Sequence, residues 1–208
     1  DLNIANGSLS PVVSNDGITW TATFTPAVDV TDTTNLISLD NTGVLDAAGN
    51  TGTGTTESNN YAIDTGRPTA SIVLADAALQ VGETSLVTIT FSEAVSGLTN
   101  AALSIANGDL SPVASSDGGL TWTATFTPAG NVTDTSNLIT LDNTGVLDAA
   151  GNTGTGSADS NNYSIDTQRP SFTSAITLAD SALKQGETTT VSIAFSEPVT
   201  GLTVEDFT

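Results

Sequence analysis

The sequence predicts an all-β protein: a linear array of two-sheet sandwiches, each of about seven short strands. Three observations carry this. First, the chain repeats itself: residues 2–68 align with 103–170 around one inserted glycine, and 53 of the 67 paired positions are identical. Second, Thr, Val and Ile dominate the periodic stretches, a composition suited to pleated, half-buried surfaces. Third, Gly, Asn, Asp and Pro interrupt these stretches about every eight to twelve residues, as in sandwiches. A period of 102 residues, from Trp20 to Trp122, is the size of one domain and not of a solenoid unit. Each repeat therefore holds its own core.

The middle repeat is the complete one. A first strand is expected over Thr69–Leu74 and a second over Ser85–Phe91, with Val87, Ile89 and Phe91 on one face and Thr88 and Thr90 on the other. Further strands are expected over Ala102–Ala106, Leu110–Ser115 and Leu120–Thr127, the last with Trp122, Ala124 and Phe126 inward. Ser116-Asp-Gly-Gly119 reads as a hairpin turn, because glycine supplies positive φ without steric cost. A sixth strand is expected over Asn137–Leu141, extending toward Leu147, then a turn at Asp148-Ala-Ala-Gly-Asn152, then a strand at Tyr163–Asp166. Seven strands with a tryptophan in the core predict an immunoglobulin-like sandwich without a disulfide. Trp20 and Trp122 are both expected to be core residues.

Boundaries are expected at Asp64-Thr-Gly-Arg-Pro68 and Asp166-Thr-Gln-Arg-Pro170, dividing the chain into a partial repeat (1–67), a complete one (68–169) and a second partial one (170–208). Each linker proline restricts itself and its predecessor, which favours a stiff rod. The incomplete ends suggest a window of a longer polypeptide, or halves completed by a neighbouring chain.

Three basic residues face 23 acidic ones, a formal net charge of −20. Such a chain does not bind nucleic acid through its phosphates, and anionic membranes repel it. No apolar run approaches the ~18 residues that would insert into a bilayer. With no Cys and no His, thiolate and imidazole metal sites and the commonest general base are all absent, so an enzyme is not expected. What relieves the acidic charge must be a cation other than Lys or Arg.

Strand alternation gathers acids at one pole of the sandwich: Asp64 from the linker, Glu93 after the second strand, Asp117 in the hairpin turn, and Asp148 with Asn152 in the long turn. Glu93 shares inward parity with Phe91, and a carboxylate there needs a partner. Hard oxygen ligands with little positive charge fit Ca2+, which takes 6–8 oxygens. The repeat extends the set to Asp46 and Asn50 in the first unit and to Asp166 and Glu197 at the second boundary. Turn chemistry competes for several of these residues. It outweighs a ligand role for Asp117, and both readings stay open for Asp148 with Asn152. At the opposite pole, Asp76, Glu83 and Asp134 read as solvated loop acids. Arg67 and Arg169 are expected to pair with local acids.

Four motifs in order, Phe-Ser-Glu-Ala-Val (91–95), Ser-Asp-Gly-Gly-Leu-Thr-Trp-Thr-Ala-Thr-Phe-Thr-Pro (116–128), Gly-Val-Leu-Asp-Ala-Ala-Gly-Asn (145–152) and Tyr-Ser-Ile-Asp-Thr-x-Arg-Pro (163–170), resemble the bacterial immunoglobulin-like repeats of giant surface and biofilm-associated adhesins. The resemblance covers essentially the whole chain. It implies an extracellular, non-enzymatic extender that holds a binding module away from the cell, with Ca2+ stiffening its junctions and neighbouring repeats as its main partners. Two other readings remain: a multivalent glycan- or protein-binding module, and identical chains that self-associate into a fibre or matrix by completing each other's partial domains.

Overall fold

The computed structural model describes residues 1–207. The first unit contributes β1 (Leu2–Ile4), β2 (Gly7–Leu9), β3 (Val13–Ser14), β4 (Trp20–Thr21), β5 (Phe24–Pro26), β6 (Thr31–Asn35), β7 (Ile37–Asp40), β8 (Thr55–Glu57) and β9 (Tyr61–Asp64). The middle unit contributes β10 (Ala70–Leu74), β11 (Ala78–Gln80), β12 (Ser85–Phe91), β13 (Leu103–Ile105), β14 (Gly108–Leu110), β15 (Ala114–Ser115), β16 (Thr121–Pro128), β17 (Thr133–Asn137), β18 (Ile139–Asp142), β19 (Ser157–Asp159) and β20 (Tyr163–Asp166). The last unit has β21 (Thr177–Leu178) and β22 (Val191–Ser192). Among the described residues no helix is long and apolar enough to cross a membrane.

The middle unit is a two-sheet sandwich. One sheet runs β10-β12-β16-β14, with β15 also on β16. The facing layer combines β11-β20-β17 with β13-β18-β19. Strands β17 and β18 follow one another; β17 pairs with β20, with a register shift between Asp134 and Asn137, and β18 pairs with β19. The alternation read from sequence sets the packing: Ile72, Leu74, Val87, Ile89, Phe91 and Phe126 meet Leu79, Leu103, Ile139, Leu141, Tyr163 and Ile165 in one buried cluster. Phe126 and Tyr163 make an edge-to-face pair with centroids 5.0 Å apart, a favoured aromatic geometry. The Tyr163 hydroxyl donates to the Ala106 carbonyl. Burial pushes its pKa up to about 12.

Four features depart from the sequence expectation. The strand expected over Leu110–Ser115 is broken between β14 and β15, where Pro112 lacks a donor and Asn100 caps the freed groups, accepting from Val113 N at 3.0 Å and donating to Leu110 O at 3.1 Å. The strand expected over Asn137–Leu141 falls across two strands in different sheets, β17 ending at Asn137 and β18 running from Ile139 to Asp142, short of Leu147. Two strands were not expected at all: β11, which runs parallel to β20, and β19. Finally, Trp122 packs against the core, but Trp20 is 60% exposed.

This last difference has a physical cause. In the middle unit β12 lies along β16, pairing Ile89 with Trp122 and Val87 with Ala124. Among the described residues no counterpart of β12 lies along the first unit's equivalent strand. The near-identical stretch there breaks into β4 and β5, and its inward face stays open. Strand propensity is realised only against a neighbour.

Candidate functional site

The site is a junction between the first and middle units. Asp64 closes β9, and its Oδ1 accepts from Thr31 Oγ1 at 3.0 Å across the β6–β9 ladder. Glu93 follows the end of β12. Asp148 opens the turn that the sequence predicts: its N–H bonds the Asn152 carbonyl at 3.1 Å, and Gly151 supplies the left-handed φ of 92°. That turn is held against the Glu93 loop by a two-way backbone bridge, Ser96 N to Leu147 O at 2.8 Å and Leu147 N to Ser96 O at 3.1 Å.

These elements bring three carboxylates together. One oxygen each from Asp64, Glu93 and Asp148 lies within 4.8 Å of the other two. Asp148 is buried and Glu93 half-buried. Asn152 ties the units directly, its Nδ2 donating to Asp148 Oδ2 at 2.8 Å and to the Asp64 carbonyl at 3.1 Å. Arg67 adds a second tie, from Nη1 to the Thr153 carbonyl at 2.9 Å. The expectation that Arg67 pairs with a local acid is thus corrected: its head bonds a carbonyl across the junction. Gly66 has little spare space, since a Cβ there would lie 2.7 Å from Thr31 Oγ1 and 3.6 Å from Asp64 Oδ1.

The electrostatics follow from this geometry. Burial, then the Asp148 and Asp64 charges, raise the Glu93 carboxyl above its ordinary value. Burial also works to raise Asp148, but hydrogen bonds from the Asn152 side chain and backbone, and from Gly151 and Ala150, outweigh it and hold the group low.

The remaining sequence candidates lie apart from this trio. Asp117 sits at the same pole, where Val95 N bonds Gly119 O at 3.1 Å, but its carboxylate serves its own turn, accepting from Thr121 N and Ser115 Oγ at 2.9 Å each. The Thr121 N–H above all, then the Ser115 hydroxyl, lower its pKa to about 2. Gly119 is required here, because at φ 103° a Cβ would lie 2.2 Å from Val95 O. Asp46 and Asn50 form the same internal turn as Asp148 and Asn152, with Nδ2 to Oδ2 at 2.7 Å, and both are exposed. The turn is therefore intrinsic to its sequence, whatever else binds there. Asp166 accepts from Thr133 Oγ1 at 3.0 Å. Glu197 takes the place of Glu93, and its Oε1 is buried without a hydrogen-bond partner. The described part of the last unit does not reach a counterpart of Asp148. At the opposite pole Asp76, Glu83 and Asp134 serve separate turns, accepting from Ala78 N, Gln80 N and Ser136 N. Sequence reasoning missed Thr31 and Gly66; only the β6–β9 register and the linker path place them.

The trio's oxygens fit a common ion. Ca2+ binds oxygen at about 2.3–2.6 Å, so ligands on one ion lie up to roughly 5 Å apart. The spacing here falls inside that limit, and the donor set is all hard oxygen.

Two facing sheets with this strand order define a tandem immunoglobulin-like sandwich protein. The chain belongs to the bacterial Ig-like domain family: the family model matches residues 1–63, 64–165 and 166–208. Among solved structures it is similar to FdeC, described as an Escherichia coli adhesin, at 14% identity and a TM-score of 0.36, over 94% of this chain. The chain spans 60% of that structure's length. No curated protein matches it.

Proposed function

We propose that this chain is a non-enzymatic extender segment of a bacterial cell-surface or biofilm-matrix adhesin, stiffened by Ca2+ at its domain junction. The supporting observation is the meeting of Asp64 from one unit with Glu93 and Asp148 from the next, one oxygen of each within 4.8 Å of the other two. A bound divalent ion supplies the missing positive charge. Asp64 and Asp148 anchor it from opposite sides of the boundary, and Glu93 closes the set. Asn152 and Arg67 preset the angle between units through their bonds to Asp64 O and Thr153 O. Membership of the bacterial Ig-like family supports a spacer role, as does the repetition of the whole unit.

The test is small-angle scattering and calorimetry of the 208-residue chain in Ca2+ and in chelator. Ca2+ should raise the melting temperature and narrow the distribution of interunit angles, and the Asp64→Asn variant should lose both effects. Identical curves with and without the ion would refute the reading.

A further inference from the structure

The chain holds three Asn-x-Ser/Thr sequences: Asn6-Gly-Ser8, Asn131-Val-Thr133 and Asn162-Tyr-Ser164. This pattern is the acceptor of asparagine-linked sugar, and it belongs on a surface loop. The structure separates the three.

Asn6 is locked. Its Nδ2 donates to Asp32 Oδ2 at 2.9 Å and to Asn35 Oδ1 at 2.7 Å, and Asn35 is buried. Gly7 and Ser8 are held in β2 against β5. The lock belongs to the fold, since Asn107 makes it again in the middle unit, to Asp134 and Asn137. Asn162 is locked too. Its Oδ1 accepts from Asn137 N at 3.0 Å, and its Nδ2 donates to Thr135 O at 3.0 Å. The residue after it, Tyr163, is fully buried in the core. Releasing either carboxamide leaves buried polar groups without partners, which is costly.

Asn131 differs. It is exposed in the loop that joins β16 to β17, with a left-handed φ of 59°. Among the described residues its carboxamide makes no hydrogen bond. Gly130 before it faces open space, with nothing within 4 Å of where a Cβ would sit. Val132 anchors the loop, its N–H donating to Thr167 Oγ1 at 3.0 Å, so Asn131 is presented without unfolding. Thr133 is exposed, and its hydroxyl makes surface hydrogen bonds, the shorter to Asp166 Oδ1 at 3.0 Å. A groove of about 240 Å³ opens beside the loop, lined by Glu83, Thr84, Thr127, Pro128 and Asn131 among others. The position also stays open where another unit follows. Its counterpart in the first unit, Asp29, has a φ of 55° and is exposed although the middle unit comes next.

We propose that Asn131 is a glycosylation site that accepts a neutral hexose from a nucleotide-activated sugar, delivered by an asparagine glycosyltransferase. The carboxamide Nδ2 attacks the anomeric carbon, and a C–N bond forms as the C–O bond to the diphosphate breaks. The nucleoside diphosphate leaves with the electron pair, and a base of the transferase takes the amide proton. The groove gives the first sugar room against the Thr84 and Thr127 hydroxyls. Glu83, in a chain of 23 acidic and three basic residues, disfavours an anionic sugar. Asp29 offers no nitrogen, so the first unit is not modified at this position. The inference stands apart from the calcium reading.

The test is incubation of the folded 208-residue chain with a nucleotide-sugar-dependent asparagine glycosyltransferase and UDP-glucose, read by intact mass and peptide mapping. A protease digest of the same chain is the unfolded reference. The folded chain should gain one hexose, on Asn131, and the digest should gain it at all three sequences. Asn131→Gln and Thr133→Val should each abolish the gain in the folded chain. Asp29→Asn creates the same sequence on the same loop of the first unit, and should add a second hexose. A folded chain in which Asn131 stays bare, whatever the digest does, overturns the inference. So does modification of folded Asn6 or Asn162 as fast as Asn131, because the fold would then select nothing.

Discussion

Two leucines in the same motif should respond very differently to truncation. Leu74 and Leu178 both open the sequence Leu-Ala-Asp, but Leu74 is 2% exposed and Leu178 49% exposed. Leu74 belongs to the buried cluster, with Val87 across the strand pair. Leu→Ala at such a site loses the transfer energy of the removed atoms and leaves a cavity, about 2–5 kcal/mol. In a unit of this size each kcal/mol moves the melting midpoint by about 4–8 °C, so Leu74→Ala should lower it by roughly 8 °C or more. At Leu178 water already covers half of the side chain, and the cost should stay under about 1 kcal/mol. The assay is differential scanning calorimetry of the 208-residue chain. Equal shifts for the two variants would refute the argument, because the two positions would then share one environment.

Three further outcomes are expected. Glu93→Gln should raise the melting temperature in chelator, by removing a carboxylate that burial and two neighbouring charges disfavour, and should weaken the Ca2+ response; calorimetry with and without the ion checks both signs. In chelator, stability should first rise as pH falls toward the raised Glu93 pKa, since the folded state holds that proton more tightly than the unfolded one. It should then fall below about pH 4, as Asp148 and Asp117, both held low in the folded state, are forced to protonate, the Asp117 share disappearing toward about 2; a pH series of melts reads the maximum. Tyr163→Phe keeps the ring against Phe126 but leaves the Ala106 carbonyl without its donor, which should cost about 1–3 kcal/mol in urea unfolding.

Much of the fold was legible because local pattern and global packing agree in the complete unit. The Val87, Ile89, Phe91 alternation and the Trp122, Ala124, Phe126 alternation each named a strand and its buried face. The turn at Asp148–Asn152 followed from its turn-forming residues, and the gathering of Asp64, Glu93 and Asp148 at one pole from strand alternation. What sequence could not show depends on neighbours. Ala78–Gln80 is too short to display a period, and it is a strand only because β20 lies beside it. Trp20 sits in nearly the same words as Trp122, yet β12 lies along Trp122 and among the described residues no matching strand lies along Trp20. Asp117 had two available uses, and the Thr121 and Ser115 donors decided between them. Arg67 faced carboxylates in sequence but a carbonyl in space.

The parallel pairing of β11 with β20 bears on how the middle unit meets mechanical tension. Ala78–Gln80 lies near the start of the middle unit and Ser164–Asp166 at its end, side by side and pointing the same way. Pulling on the two ends of the unit drags these strands along each other in opposite senses. Their hydrogen bonds must then shear together, where an antiparallel hairpin pulled at its open end would unzip one rung at a time. A unit wired in this way resists tension applied between its two ends, the load that the proposed extender role would place on it.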